Sequence, residues 1–164
     1  MKVEHLEERV KDYKVSIKTV VEKKILWETE TRDLLLKTLN DIVKKYDIGW
    51  RVQALSWINT NEAVNITFDS FPVDLIDKTN LIPTYQFLQG GALVFSQSYS
   101  GDVNVFMLFP IPTNMNENET DADLAIYTPQ NITEKVIIEK VDEFLKKMIE
   151  WEVPPIKDKV GYLK

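Results

Sequence analysis

Few side chains in this sequence belong to types that carry acid–base or nucleophilic chemistry. There is no cysteine, which excludes thiol nucleophiles, thiolate metal sites and disulfides. The one histidine, His5, lies among charged residues at the start of a helical pattern, where we expect it to be solvated. Asp69 with Asp74 or Asp77 would be carboxylate pairs for an enzyme, but Asp at strand ends and in loops usually stabilises turns. We therefore predict no catalytic residues and rank a carboxylate enzyme third among the functions.

Two stretches have the composition of a cofactor or metal site. Thr113–Asp123, TNMNENETDAD, offers the oxygen ligands that calcium prefers, but counted from its first asparagine Glu119 replaces the glycine of a calcium loop and Ala125 replaces the final glutamate. Gly90-Gly91 lacks the lysine and the following helix of a phosphate loop. We predict a solvated loop at Thr113–Asp123, with no metal and no cofactor.

The charge of the chain is unevenly distributed. Lysine and arginine number 11 against 9 acidic residues in residues 1–46, 2 against 10 in residues 47–131, and 7 against 7 in residues 132–164, for a net charge of −6. Nucleic acid binding requires a concentrated basic surface, which this pattern does not provide. No apolar run reaches the length of a membrane span, and the amino terminus lacks the apolar segment of a signal peptide. We predict a cytoplasmic protein without nucleic acid or membrane partners.

The predicted sheet is organised around Gly90–Pro110. Ala92–Tyr99 and Val103–Phe109 are apolar runs joined by Ser100-Gly101-Asp102, which is typical of a β-hairpin. Trp50–Ile58 and Ala63–Asp69 predict a second hairpin, and Leu124–Tyr127 predicts a short fifth strand at the edge. Alternation predicts that one face of the sheet is buried against at least one helix, through Val64, Ile66, Phe68, Val105, Met107 and Phe109.

Three apolar stripes predict helices. The first recurs at alternating steps of three and four, the heptad spacing of helices that pair, and contains Val3, Leu6, Val10, Tyr13, Ile17, Val20, Lys24 and Trp27. A strand over Lys14–Val21 is the alternative, because β-branched residues alternate there. The second helix has Thr29 or Thr31 as its N-cap and an apolar stripe of Leu35, Leu39, Ile42 and Tyr46. The third starts at Asn131 as N-cap, ends before Pro154, and has Ile137, Val141, Phe144, Leu145 and Met148 as its stripe.

These elements predict an α+β fold. It has one or two N-terminal helices, a four-stranded antiparallel meander with a candidate fifth strand, and a C-terminal helix packed on the sheet. Without glycine or proline at Trp27–Arg32, the first two helices are alternatively one long kinked helix. We predict a single domain over residues 1–164, divided into an amphipathic helix (1–27), a body (28–153) and a tail (154–164).

Two apolar surfaces exceed what three helices are expected to cover. One is the helix stripe, with Leu6, Val10, Tyr13, Ile17 and Val20. The other is the outer face of the sheet, with Leu55, Trp57, Phe106 and Leu108. Because satisfying both within one chain is difficult, we predict a homodimer in which the first helix takes part. The predicted function is a small, acidic, non-enzymatic module that binds a protein or a peptide.

Aromatic residues suggest a different function. Trp50, Tyr99 and Phe109 lie on adjacent predicted strands and would line an apolar pocket between sheet and helix, where a small molecule would bind. This is the second hypothesis. The small acidic chain with an outer amphipathic helix resembles dimeric secretion chaperones and other adaptors in general architecture, without a shared motif that would identify a family.

Overall fold

The chain begins with an almost unbroken helix. In a computed structural model, which describes residues 3–56, 61–81, 90–110 and 121–154, α1 spans Val3–Leu26, a π turn spans Trp27–Thr31, and α2 spans Arg32–Lys45. No glycine or proline interrupts this part of the sequence, so one helix with a local irregularity forms. The strand alternative for residues 14–21 is wrong. No helix in the described part of the chain is long and apolar enough to cross a membrane.

The predicted N-caps at Thr29 and Thr31 are wrong because the backbone is already helical before α2 begins at Arg32, and neither side chain accepts a capping hydrogen bond. Both residues have helical neighbours on each side, so their backbone N–H groups do not need a side-chain acceptor. The hydroxyls act as donors instead. Thr29 Oγ1 donates to the carbonyl of Ile25 at 2.8 Å, and Thr31 Oγ1 donates to the carbonyl of Pro129 at 3.1 Å.

The π turn changes the register of the apolar stripe by one residue. The heptad spacing continues from Val20 through Lys24, Trp27 and Thr31 to Leu34, Thr38 and Asp41. Trp27, Thr31 and Thr38 are buried, but Leu35 and Leu39 are also buried, while Leu34 is only partly buried and Asp41 is exposed. A π turn accommodates one extra residue in a helix. It therefore keeps Leu35 and Leu39 facing the sheet although the heptad spacing before them points elsewhere.

Five strands form one antiparallel meander in the order β1-β2-β3-β4-β5. They span Trp50–Ser56, Glu62–Phe68, Ala92–Gln97, Val103–Leu108 and Asp121–Tyr127. The central hairpin is confirmed, and Gly101 has the positive φ of 90° that its turn requires. Tyr99, predicted at the end of a strand, lies in that turn. The fifth strand is also confirmed, and it begins at Asp121, so the last three residues of the predicted loop Thr113–Asp123 are strand; residues 113–120 lie outside the described ranges.

Short helical turns connect the longer elements. A 3₁₀ turn, Val73–Leu75, leads into the short helix α3, Ile76–Thr79. A second 3₁₀ turn, Pro129–Asn131, precedes α4, Glu134–Glu152. The N-cap of α4 is Thr133, whose Oγ1 accepts from the N–H of Val136 at 3.2 Å. The predicted cap at Asn131 is wrong because the 3₁₀ turn delays the helix by two residues.

The main core lies between the sheet and the pair α2 and α4. The inner sheet face contributes Val64, Ile66, Leu93, Phe95, Val103, Val105 and Met107, all buried, and α4 contributes Ile137, Val141, Phe144 and Met148. Phe68 is only partly buried, in contrast to the prediction, because it ends β2 opposite the edge strand. Its ring stacks on Trp50 at 5.4 Å between centroids and lies 5.7 Å from Phe144.

Replacing Phe68 with aspartate should remove cooperative unfolding. The substitution would place a carboxylate between two rings, and the cost is several kcal/mol out of a total stability of roughly 5–15 kcal/mol for a domain. Ile126→Asp is the matched control, because Ile126 is an exposed strand residue. We expect a sigmoidal urea transition, followed by circular dichroism, for the control and not for Phe68→Asp. Equal transitions for the two variants would contradict the assigned inner face.

Candidate functional site

The N-terminal part of α1 extends away from the rest of the structure. Every residue of Val3–Thr19, here called the arm, is exposed, and no residue of α1 is buried. The apolar stripe is nevertheless on the arm. Its residues Val3, Leu6, Val10, Tyr13 and Ile17, here called the seam together with the partly buried Val20, are between 45% and 66% exposed. The arm therefore presents a continuous apolar face to solvent.

An isolated helix of this length is marginally stable. The arm is about 25 Å long, and helices of 12–15 residues without tertiary contacts are only partly formed in water. Side-chain pairs within the arm add little, since Arg9 with Asp12 and Lys18 with Glu22 are exposed pairs. Packing of an apolar face is what normally stabilises a helix, whereas the apolar face of the arm is exposed.

The last two turns of α1 are anchored to the turn between β3 and β4. Lys23 Nζ lies 2.9 Å from Asp102 Oδ1, and both side chains are about one quarter exposed. Lys24 Nζ lies 4.9 Å from the ring centroid of Tyr99. A side chain at Gly101 would not fit, because its Cβ would lie 2.6 Å from the Cβ of Lys23. Lys24 interrupts the apolar stripe where the helix meets the hairpin, and this contact explains its charge.

A second anchor lies at the π turn. The indole Nε1 of Trp27 donates to Glu62 Oε1 at 2.9 Å, and Arg32 Nη1 donates to both oxygens of the same carboxylate at 2.9 and 3.1 Å. Charge-assisted hydrogen bonds of this kind are stronger than neutral ones. Glu62 is the first residue of β2, so this group fixes the helix junction to the sheet.

A cavity of about 330 Å³ lies between α2, α4 and the start of β1. It is lined by Ile42, Tyr46, Ile48, Trp50, Ile138, Val141, Asp142 and Leu145. The volume is at the lower end of the range for small-molecule sites, and the lining is mostly apolar, which is typical of such sites. Asp142 is the charged residue of the lining, and its carboxylate pairs with Lys146 at 3.1 Å.

The structure separates the three residues predicted to line a pocket. Trp50 lines the cavity, and its Nε1 donates to the carbonyl of Tyr46 at 2.7 Å. Tyr99 is 83% exposed in the hairpin turn, and Phe109 is buried in the main core. Sequence reasoning missed Ile138, although an apolar residue beside the buried stripe of α4 was the available signal.

The residues predicted on the outer face of the sheet have different surroundings. Leu55 and Phe106 are partly buried and pack with Ala63, Ala92 and Val94, three buried residues of the outer face. Leu108 is exposed, and Trp57 lies outside the described residues. Five described residues of the outer face thus form a small cluster of buried and partly buried side chains, whereas the predicted residues of α1 before Val20 share one exposed face.

The candidate acid–base residues do not form a site. Asp69 pairs with Arg51, with 2.6 Å between Oδ2 and Nε, while Asp74 and Asp77 are exposed. His5 lies on the exposed arm. Among residues 3–56, 61–81, 90–110 and 121–154, no group of three histidine or acidic side chains is arranged to hold a metal ion.

Lys140 has a perturbed pKa, although it belongs neither to the arm nor to the lining of the cavity. Burial acts to lower the pKa of Lys140, but the Glu143 carboxylate at 2.9 Å and the nearby Tyr127 outweigh it, so the pKa is raised. A raised folded-state pKa means that this contribution to stability is complete below the ordinary lysine value. It is lost as the pH rises through the raised value.

Comparisons of the chain with protein-family models, with curated proteins and with solved structures found no match. The geometry of the arm and of the cavity is therefore the basis for a functional proposal.

Replacing Gly101 with alanine should destabilise the protein more than replacing Gly90. Both glycines have positive φ, so both changes cost about 1–2 kcal/mol of backbone strain. At Gly101 the new Cβ also collides with Lys23, whereas at Gly90 the nearest atom is Pro110 Cγ at 3.9 Å. Urea unfolding should therefore show a larger loss of free energy for Gly101→Ala. Equal losses would mean that α1 does not pack on this turn.

Proposed function

We propose that this protein is a small acidic, non-enzymatic module of the cytoplasm that binds proteins or peptides as an adaptor or chaperone does, and that it acts as a homodimer. The arm is the recognition element. The observation that supports this proposal is the exposure of every residue of Val3–Thr19 on a helix with an apolar seam.

The seam fits helical partners in particular. Its residues repeat at steps of three and four over five turns, which is the pattern by which a helix inserts into a groove or pairs with another helix. A small molecule would cover only part of a face about 25 Å long. The acidic composition of residues 47–131 argues against nucleic acid as the partner.

A second copy of the chain is the simplest partner, because it presents an identical seam. Two seams that face each other remove all their apolar residues from water at once. A specific interface requires at least about 1,000 Å² of buried area in total, so the proposed dimer has to bury the seam along its whole length. The anchors at Lys23 and Trp27 leave the seam free for this contact.

Replacing Val10 and Ile17 together with glutamate should dissociate the dimer. The charges would be solvated in the monomer but desolvated in the seam, which costs about 3–5 kcal/mol when a charge has no partner. Sedimentation velocity at tens of micromolar should show a dimer for the natural protein and a monomer for the variant, with unchanged unfolding of the body.

Val15→Glu with Ile25→Glu is the matched control. It makes the same two replacements at exposed positions of α1 that lie outside the seam, so the dimer should persist. A natural protein that sediments as a monomer at this concentration would refute the homodimer.

The cavity supports a second candidate function, the binding of a small apolar molecule. Its lining combines buried residues, Trp50 and Val141, with exposed ones, Tyr46 and Ile138, so the cavity is open to solvent. No cationic side chain lines the cavity within the described residues, which favours a neutral ligand over an anionic one.

A neutral fluorescent probe, N-phenyl-1-naphthylamine, tests this candidate. We expect its fluorescence to rise on binding and Ile138→Trp to abolish the rise by filling the cavity. Ile149→Trp is the control, because Ile149 is an exposed residue of α4 that does not line the cavity. Equal probe binding by both variants, or none by the natural protein, would reject the cavity as a ligand site.

A further inference from the structure

The seam residues assign heptad positions to the arm. With Val3, Val10 and Ile17 at position a, Leu6, Tyr13 and Val20 occupy position d. Resting on the proposed homodimer, we infer that the two arms pair in antiparallel orientation, with Val10 opposite the partner's Tyr13. In this register all six seam residues of each arm face an apolar residue of the other.

The sizes of the seam residues favour this orientation. In the antiparallel register Tyr13 faces the partner's Val10, so a large side chain meets a small one. In a parallel pair Tyr13 would face the partner's Tyr13, and Val10 would face the partner's Val10. Alternation of large and small residues fills an interface without voids or overlap. The pairs of facing seam residues are therefore more equal in total volume in the antiparallel dimer than in the parallel one.

The charges beside the seam give a second argument. Position e is occupied by Glu7 and Lys14, and position g by Arg9 and Ser16. Antiparallel helices bring e beside e, which places Glu7 next to the partner's Lys14 at two symmetric points. Parallel helices bring g beside e, which places Arg9 next to the partner's Lys14 twice. Lys2, which lies outside the described residues, would be next to the partner's Glu7 in a parallel pair and next to the partner's Lys23 in an antiparallel pair, where Lys23 is already paired with Asp102 of its own chain.

The acidic bodies give a third argument. Residues 47–131 have 2 basic against 10 acidic side chains, so two bodies repel each other at short range. Parallel arms would place both bodies at the same end of the paired helices. Antiparallel arms place them at opposite ends, about 25 Å apart, which exceeds the screening length of about 8 Å at physiological salt.

Charge reversal at position 14 should change the dissociation constant in opposite directions in the two orientations. In the antiparallel dimer Lys14→Glu converts two attractive contacts with Glu7 into repulsive ones, so the dissociation constant should rise about tenfold. Lys14→Glu combined with Glu7→Lys should restore the natural value. In a parallel dimer Lys14→Glu would instead relieve the contact with Arg9 and strengthen association. Analytical ultracentrifugation over a concentration series measures these constants.

Glu8→Lys is the matched control for this series. It also reverses one charge and also gains neighbours of opposite charge within its own helix, Glu4 and Asp12, but it occupies position f, away from the partner. Its dissociation constant should equal that of the natural protein. If Glu8→Lys raised the dissociation constant as much as Lys14→Glu does, the inference would be overturned, because the effect of a charge would then not depend on its heptad position.

Disulfide formation tests the register independently, and the absence of natural cysteine makes it specific. Leu6→Cys and Ile17→Cys are made in separate chains, mixed and oxidised. The antiparallel register places position 6 opposite the partner's position 17, so mass spectrometry should find the mixed disulfide. Two copies of position 6 would be about 16 Å apart along the axis, beyond the Cα separation of about 4.4–6.8 Å that a disulfide allows.

The outcomes separate the two proposals. A mixed disulfide together with weaker association of Lys14→Glu supports the antiparallel dimer. A disulfide between two chains that both have Leu6→Cys, with stronger association of Lys14→Glu, overturns the orientation and leaves the homodimer in place. A monomeric natural protein without any disulfide overturns both.

Discussion

The carboxylate of Glu62 is the contact on which the position of the arm depends. It accepts hydrogen bonds from Trp27 and from Arg32, which lie at the two ends of the π turn. A helix that runs without a break from the core into solvent transmits the orientation of its anchored end along its whole length. The Lys23–Asp102 pair fixes the same helix to the central hairpin from a second side. Two polar contacts, one to the first residue of β2 and one to the turn between β3 and β4, thus define the direction of a helix that contains no buried residue.

One helix serves two purposes because its apolar stripe changes register at the π turn. Before the turn, heptad spacing produces a seam suited to another helix. After the turn, Leu35 and Leu39 face the sheet and are fully buried. Leu34, which continues the heptad spacing, is only partly buried against the same core. The extra residue therefore lets the exposed seam of α1 and the buried stripe of α2 belong to one nearly continuous helix. Lys23 and Lys24 lie at the boundary between the two.

Sequence predicted those elements whose signal is local. The central hairpin follows from two β-rich runs around Gly101, and the stripe of α4 follows from its own spacing. The caps at Thr29, Thr31 and Asn131 were misplaced, because a cap depends on where a helix starts, and the π turn and the 3₁₀ turn before α4 moved or removed those starts. The open seam was visible in the heptad repeat. Of the cavity lining only Trp50 was predicted to line a pocket, since the cavity requires α2, α4 and β1 to meet at a distance that no local pattern specifies.

The stability of the arm is separate from that of the body. The main core begins at Trp27 and includes no residue of α1, so melting of the arm would expose none of the buried apolar surface. In the proposed dimer, folding of the arm would be coupled to association, because a helix gains most of its stability from the face that it buries. The cost of ordering the helix would then reduce affinity, and the few charges beside the seam would select the partner. Substitutions at Glu7, Arg9 and Lys14 would therefore alter the choice of partner without affecting the fold of the body.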